Sequence, residues 1–358
     1  MKHSLPVLAL LCGLGVLLAQ DHKTPTPPHP PVLVQDIKLP DDELAPDKIS
    51  RTTQTGERRD WGHLNLDVEN AQKLATGKGV LVAVIDTGVD QDHQDLKGAV
   101  VESKDFTGSR SGSSDVQGHG THCAGIIGAR KNDTGIVGVA YDCQILNLKC
   151  LGDNGSGNDV GIANAIDYAV EKKAHVISGS LGADQPSQRI VDAVNRALKA
   201  NVICVFAAGN SGPNENTVGW PGAMPGVVCV AATDKNDLVA RFSSRGKQVL
   251  IAAPGVQIDS TYPGNRYALL SGTSMATPYI SGIAALYVER CQAANLKCDS
   301  ATFSQVLQDT ATGYGLVQPV KLLESVKATD PITPPTPPTK GFTGTLIYKD
   351  GQLVEIRK

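Results

Sequence analysis

Short, largely apolar runs recur through the middle of the chain and alternate with segments of helical periodicity. The runs span residues 81–85, 144–148, 174–177, 202–206 and 227–230. Apolar runs of this length, without polar alternation, are typical of parallel strands that are buried on both faces. Helical spacing is found at residues 119–129, 159–173 and 187–200, and in a longer apolar stretch at residues 275–289. This repetition predicts an α/β fold, in which helices cover both faces of a central, mostly parallel sheet.

The N-terminal end has a different character. Residues 5–19 are apolar, follow Lys2 and His3, and end with a small residue before polar sequence. This pattern predicts a secretory signal peptide at residues 1–19. The alternative is an uncleaved anchor, but a membrane-spanning helix needs about 20 apolar residues. Residues 20–60 are polar and Pro-rich, which indicates a linker or a short pro-segment.

The C-terminal end contains a second Pro-rich linker, at residues 327–340, so that residues 61–326 form the globular domain. Residues 341–358 alternate between apolar and polar positions around Asp350 and Gly351, and they predict a short hairpin extension. Because an isolated hairpin is only marginally stable, this extension docks on another surface, is removed during maturation or serves as a sorting tag.

Net charge bears on the possible partners, and the cysteine count bears on possible disulfides. A net charge of −3 over 358 residues gives no reason to expect nucleic acid or an anionic membrane as a partner. We expect a monomer without stable membrane association. Eight cysteines are present, and removal of Cys12 with the signal peptide leaves seven, so at least one thiol is free. Export permits disulfides, and Cys291 and Cys298 are the easiest pair because they close a short loop.

Three segments carry residue types that suit nucleophilic catalysis. Asp86 directly follows the first apolar run, where open α/β sheets place their sites, although a capping Asp is the simpler interpretation. His119 lies between two glycines at the start of a predicted helix. With His122 it also resembles a zinc-binding pair, but no Glu lies within the motif to act as a base. Ser274 precedes the long apolar helix, whose N-terminus favours negative charge, although a plain helix cap also fits.

The order of these residues along the chain is more specific than any one segment. A serine hydroxyl needs a base, and the base needs an acid to orient it. α/β-Hydrolases order their triad as Ser, acid, His, and chymotrypsin orders it as His, Asp, Ser. The order Asp86, His119, Ser274 is that of subtilisin.

The motifs Asp-Thr-Gly at 86–88, His-Gly-Thr-His-Cys-Ala-Gly at 119–125 and Gly-Thr-Ser-Met-Ala-Thr-Pro at 272–278 together resemble those of the subtilisin-like serine proteases. Cys123 also resembles the proteinase K branch. The resemblance implies a three-layer subtilisin-like fold and a secreted serine endopeptidase that acts through an acyl-enzyme. Tyr279, where His is usual, is a departure beyond the nucleophile. The alternatives are a catalytically silent subtilisin-fold binding protein and another serine hydrolase, such as an esterase.

The resemblance implies further site residues. Asn210 matches the side-chain donor of the oxyanion hole, which the backbone N–H of Ser274 would complete. The segments that would hold a peptide substrate as an added strand contain Gly155, Ser156 and Gly157, and Ser180, Leu181 and Gly182. The S1 wall, which includes Gly182, Gly209 and Gly219, carries no charge. We therefore expect broad specificity with a preference for bulky apolar P1 residues, while Asp159 lies near the S4 rim.

Calcium (Ca2+) is the cofactor that the resemblance implies. Residues 130–136 match the family's high-affinity calcium loop in length. Its oxygen ligands would come from Asp95 and Asn132 side chains and from the carbonyls of Arg130, Thr134 and Ile136. The alternative is an ordinary polar surface loop. Leu250 replaces the usual acid of a second, weaker site, which we expect to be absent. The family's folded inhibitory pro-domain has no match in the segment before Trp61.

Overall fold

We describe the protein from a computed structural model, which describes residues 49–51, 56–313, 315–327, 345–349 and 352–357. The predicted signal peptide, residues 20–48 of the Pro-rich segment and residues 328–340 of the second linker lie outside these residues. Among the described helices, none combines the length and apolar character that crossing a membrane requires.

Strands and helices alternate along most of the described chain. The strands are β1 (Ile49–Arg51), β2 (Leu81–Asp86), β3 (Val100–Asp105), β4 (Gln144–Lys149), β5 (Val176–Gly179), β6 (Ile203–Ala207), β7 (Val228–Thr233), β8 (Ile251–Pro254), β9 (Ile258–Tyr262), β10 (Arg266–Leu270), β11 (Thr345–Lys349) and β12 (Gln352–Arg357). The helices are α1 (Trp61–Asn65), α2 (Val68–Gln72), α3 (His119–Gly128), α4 (Asp159–Glu171), α5 (Gln188–Lys199), α6 (Thr273–Ala293), α7 (Ser300–Thr310) and α8 (Pro319–Ser325).

The central sheet has the strand order β3-β4-β2-β5-β6-β7-β8, and each neighbouring pair of these strands is parallel. Alternate residues of β2 enter two separate cores: Val82 and Val84 pack in the layer that contains α3 and α6, and Ala83 and Ile85 pack in the layer that contains α4 and α5. The predicted α/β fold, with helices on both faces of the sheet, is therefore confirmed. The carboxyl end of β2 lies near the middle of the sheet, between β4 and β5.

Three parts of the described sheet structure have no counterpart in the apolar runs. β3 is the edge strand and reads Val-Val-Glu-Ser-Lys-Asp, because an edge strand with partly exposed positions does not need a continuous apolar sequence. β8 is a four-residue strand at the other edge. β9 and β10 form an antiparallel hairpin, and β1 adds to it at β10.

The C-terminal strands β11 and β12 pair antiparallel as a separate two-stranded sheet. They occupy the segment in which alternation predicts a hairpin, and the predicted turn at Asp350 and Gly351 lies outside the described residues. The role of this extension stays a prediction.

Candidate active site

Asp86 ends β2, and its carboxylate is 1% exposed. One oxygen, Oδ1, accepts a hydrogen bond from the backbone N–H of Thr87 at 2.7 Å and lies 2.8 Å from Nδ1 of His119. A carboxylate held in this way keeps the imidazole proton on Nδ1 and leaves Nε2 as the basic nitrogen. Asp86 therefore orients His119 rather than capping a helix.

His119 is the first residue of α3, and glycines on both sides allow its approach to Asp86. A Cβ at Gly118 would overlap the ring of Tyr262, and a Cβ at Gly120 would overlap the backbone oxygen of Gly88. Burial of the imidazole is the largest single effect and opposes its protonation, but Asp86 and Cys123 together outweigh it and raise the pKa of His119 well above its ordinary value. No described group forms a hydrogen bond with the buried Nε2.

Ser274 is the second residue of α6, a 21-residue helix that is buried over most of its length. Its Oγ lies 3.5 Å from the carbonyl oxygen of Ser180, and its own carbonyl accepts hydrogen bonds from Ser180 Oγ at 2.9 Å and from Cys123 Sγ at 3.5 Å. The described contacts include no hydrogen bond between Ser274 and His119. In active sites without substrate, such bonds are commonly long and tighten when substrate binds.

Asn210 carries a buried amide nitrogen with no partner among the described residues. Its Oδ1 accepts hydrogen bonds from the backbone N–H and the hydroxyl of Thr273, both at 3.0 Å. Because the backbone N–H can only donate, the oxygen must face Thr273 and the NH₂ group must point away from it. Asn210 thus presents a fixed donor beside the start of α6, as an oxyanion hole requires.

Comparison with known proteins agrees with this geometry. The Subtilase family profile matches residues 77–336 of the chain. The chain belongs to the subtilase family.

This subtilase is 42% identical to thermitase of Thermoactinomyces vulgaris over 239 residues, which cover 66% of this chain and 85% of that protein. It is 40% identical to subtilisin DY of Bacillus licheniformis over 244 residues, 67% of this chain and 86% of that protein. It is also 40% identical to subtilisin Savinase of Lederbergia lenta over 256 residues, 71% of this chain and 92% of that protein. The subtilase is a serine-type endopeptidase.

The segments predicted to hold substrate lie around the carboxyl ends of β4 and β5. Ser180, Leu181 and Gly182 directly follow β5, and Gly155, Ser156 and Gly157 belong to a loop that the hydrogen bond from Gly152 N–H to Ser156 O closes at 2.7 Å. Ser180 and Leu181 are 1% exposed, and the nearest atom to a Cβ built at Gly182 would be 3.6 Å away. Gly182, in contrast, is partly exposed.

The residues predicted for the S1 wall are joined by backbone hydrogen bonds. Ala183 and Trp220 exchange hydrogen bonds of 2.9 and 2.8 Å, and Gly219 donates to the carbonyl of Ala208 at 2.9 Å. Gly209 has a φ of +101°, a backbone conformation that favours glycine. These contacts bring Gly182, Gly209 and Gly219 into one neighbourhood of the subtilase.

The predicted calcium loop surrounds a buried carboxylate. Asp95 is fully buried, and its Oδ2 accepts hydrogen bonds from Ile136 N–H at 2.9 Å and from the Tyr267 hydroxyl at 2.8 Å. Its Oδ1 has no partner among the described residues. A Cβ at Gly135, where φ is +58°, would overlap this carboxylate, so the absence of a side chain at Gly135 lets the loop pass close to it. An unpaired buried carboxylate oxygen is costly without a cation, and the residues present fit a Ca2+ ion.

The side chains of Arg130 and Asn132 in this loop have hydrogen-bond partners in the structure. The Arg130 guanidinium donates to the carbonyls of Tyr141, Cys143 and Gly98 at 2.5, 2.8 and 2.8 Å and so is held by groups outside the loop. The Asn132 Oδ1 accepts from the N–H of Thr134 at 3.2 Å and from its hydroxyl at 2.9 Å.

Glu57 is a further acid at the predicted calcium loop, and the sequence did not indicate it. Its Oε1 accepts a hydrogen bond from Asp133 N–H at 2.9 Å. The contact could not be predicted from the sequence, because Glu57 and Asp133 lie 76 positions apart.

The second histidine of the motif does not form a metal site with His119. Nε2 of His122 lies 3.0 Å from the carbonyl oxygens of both Ile258 and Ala268, so it serves to bind the β9–β10 hairpin. Burial lowers the pKa of His122 to about 4, which keeps the ring neutral. Cys123 lies with its Sγ 4.0 Å from Nδ1 of His119, and burial raises the pKa of its thiol.

The cysteines of the described chain are all free thiols. Cys291, near the end of α6, and Cys298 lie close enough to interact, and Cys298 lowers the pKa of the Cys291 thiol. The predicted pair therefore lies in contact, without a disulfide in this structure.

Two buried charged residues near the site were not predicted to contribute. Lys149, fully buried at the end of β4, donates to the carbonyl of Thr87 and lies 3.1 Å from the carboxylate of Asp153. Asp115, four residues before His119, is 4% exposed and accepts several hydrogen bonds. The contacts of these two residues with Thr87 could not be deduced from spacing, because Thr87 lies 28 positions from Asp115 and 62 positions from Lys149.

Proposed function

We propose that Asp86, His119 and Ser274 form the catalytic triad of this endopeptidase and that Asn210 supplies the oxyanion-hole side chain. The observation that carries the proposal is the 2.8 Å contact between Asp86 Oδ1 and His119 Nδ1, since it leaves the buried Nε2 of His119 available as a base. The position of Ser274 at the start of α6 supports the assignment, because a helix N-terminus stabilises developing negative charge.

The proposed reaction is acyl transfer. His119 Nε2 takes the hydroxyl proton as Ser274 Oγ attacks the scissile carbonyl, and Asp86 stabilises the imidazolium that forms. The oxygen of the tetrahedral intermediate receives hydrogen bonds from Asn210 Nδ2 and from the backbone N–H of Ser274. His119 then gives its proton to the leaving amine. Water enters with His119 again as base, and hydrolysis of the acyl-enzyme restores the Ser274 hydroxyl.

The substrate would bind as an extended strand between residues 155–157 and 180–182. Backbone hydrogen bonds make little demand on side chains, which supports broad specificity. The glycines of the S1 wall leave an uncharged pocket for a bulky apolar P1 residue. The Asp159 carboxylate accepts a hydrogen bond from Ser187 Oγ at 3.0 Å and lies 3.5 Å from Arg189 Nε, so its charge at the S4 rim is partly compensated.

Calcium and a disulfide belong to the proposal as stabilising features. Asp95 and Asn132, with the loop carbonyls, would hold the ion, which would supply structural rigidity to residues 130–136 and take no part in the chemistry. In an oxidising compartment, Cys291 and Cys298 would form a disulfide. Mass spectrometry of the exported protein should then find these two thiols resistant to alkylation until a reductant is added.

Export completes the proposal, with residues 1–19 as signal peptide, residues 61–326 as peptidase domain and residues 341–358 as an extension. Expression of the full chain in a secreting host should release protein into the medium whose N-terminus lies at Gln20 or beyond. Retention of the uncleaved chain in the membrane fraction would contradict export.

The triad is tested by hydrolysis of casein with calcium present, comparing wild type with Ser274→Ala. We expect hydrolysis by the wild type alone and labelling of Ser274 by a fluorophosphonate. The rate should fall as the pH decreases through the pKa of His119, because the protonated imidazole cannot accept a proton. Equal inertness of both proteins would favour the catalytically silent binding protein, and hydrolysis of esters but not of casein would favour an esterase.

A further inference from the structure

Asp115 is a buried acid that the proposed reaction does not use. Its carboxylate accepts five hydrogen bonds: Oδ1 from Thr87 Oγ1 at 3.0 Å, Gln117 N–H at 3.0 Å and Gly118 N–H at 2.8 Å, and Oδ2 from the N–H and hydroxyl of Thr121 at 2.9 and 2.6 Å. All five partners are donors, and their hydrogen bonds favour the ionised carboxylate, although burial is the larger effect and raises the pKa of Asp115.

These hydrogen bonds replace the missing cap of α3. The residue before the helix, Gly118, has a φ of +107° and carries no side chain that could cap it. The first turn of a helix leaves its N–H groups without intrahelical partners. Asp115 satisfies the N–H of Thr121, while the side-chain oxygen of Gln117 accepts from the N–H of His119 at 2.7 Å.

The same carboxylate connects the helix to the strand that carries Asp86. The Thr87 hydroxyl donates to Asp115 at 3.0 Å and accepts from Gly120 N–H at 2.9 Å. The Thr87 N–H donates in turn to Asp86 Oδ1. Thr87 thus links the backbone on both sides of the Asp86–His119 contact, and Asp115 fixes the hydroxyl of Thr87.

We infer that Asp115 is a positioning residue for His119, and this inference rests on the proposed peptidase function. It holds the residues that flank His119 in register with Asp86, through its hydrogen bonds to Thr87, Gly118 and Thr121. The titratable groups that interact with His119 or Asp115 include Asp86, His122, Cys123 and Tyr262, and the buried Lys149 donates to the carbonyl of Thr87 beside them.

Asp115→Asn tests the inference because it removes the charge with almost no change in volume. We expect kcat to fall by about 10–100-fold, since a displaced catalytic group costs rate more than binding, with KM changed by less than about threefold. The apparent pKa of kcat/KM should also move to a lower value, because the Asp86 contact that raises the pKa of His119 is loosened.

Asp299→Asn is the matched control, since Asp299 also caps a helix, accepting the Thr302 N–H at 2.8 Å at the start of α7. It should lower the melting temperature without changing kcat or the pH profile. Thr87→Val serves if Asp115→Asn does not fold: it removes the linking hydroxyl and should lower kcat in the same sense.

Folded Asp115→Asn with wild-type kcat and pH profile would overturn the inference, and so would an unchanged Thr87→Val if the first variant cannot be purified. A wild type without hydrolysis dependent on Ser274 would overturn the proposed function and this inference with it.

Discussion

Asn210 offers a perturbation in which activity and stability should respond differently. Asn210→Ala removes two hydrogen bonds to Thr273, each worth about 1 kcal/mol, but it also removes a buried donor whose lack of a partner costs about 1–3 kcal/mol. These contributions oppose each other, so the free energy of unfolding should change by less than about 2 kcal/mol. Activity has no such compensation, and loss of the corresponding donor in subtilisin lowers kcat by about 10²–10³.

The assay is steady-state hydrolysis of a chromogenic peptide with an apolar P1 residue, alongside urea unfolding of the same preparations. KM should stay near that of the wild type, because the donor acts on charge that develops only in the transition state. Thr273→Val is the matched control. It keeps the Asn210 amide but removes the hydroxyl that holds its oxygen at 3.0 Å, so we expect a smaller loss, about tenfold in kcat.

The reasoning would be refuted by an Asn210→Ala protein that retains kcat within about threefold of the wild type and still reacts with a fluorophosphonate at Ser274. A free energy of unfolding for Asn210→Ala that is lower than the wild-type value by more than about 4 kcal/mol would also contradict the reasoning, because the amide would then have a structural role that its contacts do not show.

Three further predictions concern buried contacts outside the triad. Asp95→Asn should abolish a calcium-dependent rise in melting temperature, measured with and without a chelator. The pKa of His122, about 4 when folded against 6.5 ordinarily, lies below its unfolded value. The contribution of neutral His122 to the free energy of unfolding is therefore complete above pH 6.5. It declines as the pH falls towards 4, by at most about 3 kcal/mol. Urea titrations should show a shallower decline of stability with pH for His122→Gln. Gly135→Ala should lower the free energy of unfolding more than Gly79→Ala in the same titrations. Both glycines have a positive φ, which costs alanine about 1–2 kcal/mol, but only the Cβ at Gly135 would also meet Tyr267 and Asp95.

The chain's local patterns were sufficient for the strands that are buried on both faces. β2, β4, β5, β6 and β7 coincide with apolar runs, because burial on two faces requires apolar residues at consecutive positions. β3 could not be found in this way, since its edge position permits Glu102 and Lys104 in the strand. The helix predicted at residues 275–289 extends over Thr273–Ala293, and its beginning includes Ser274.

The candidate site was predictable where its residues lie in short motifs and unpredictable where distant elements meet. Motif order indicated Asp86, His119 and Ser274, but the roles of Asp115 and Lys149 depend on contacts with Thr87, which lies 28 and 62 positions away. The unpaired Asn210 nitrogen is likewise a property of the folded chain, since any unfolded Asn is satisfied by water.

Tyr279, which departs from the family motif, also separates what the sequence predicts from what only the folded structure decides. The sequence by itself determined the α/β layering, the order of the catalytic residues and the motif in which Tyr279 stands. Only the tertiary structure decided that its hydroxyl donates to Asp60 Oδ1 at 2.6 Å, while Nδ1 of His63 lies 3.0 Å from the same oxygen. Periodicity and motif order are local properties of the chain, whereas a buried polar group takes whichever partner the packing of remote segments brings within hydrogen-bond distance.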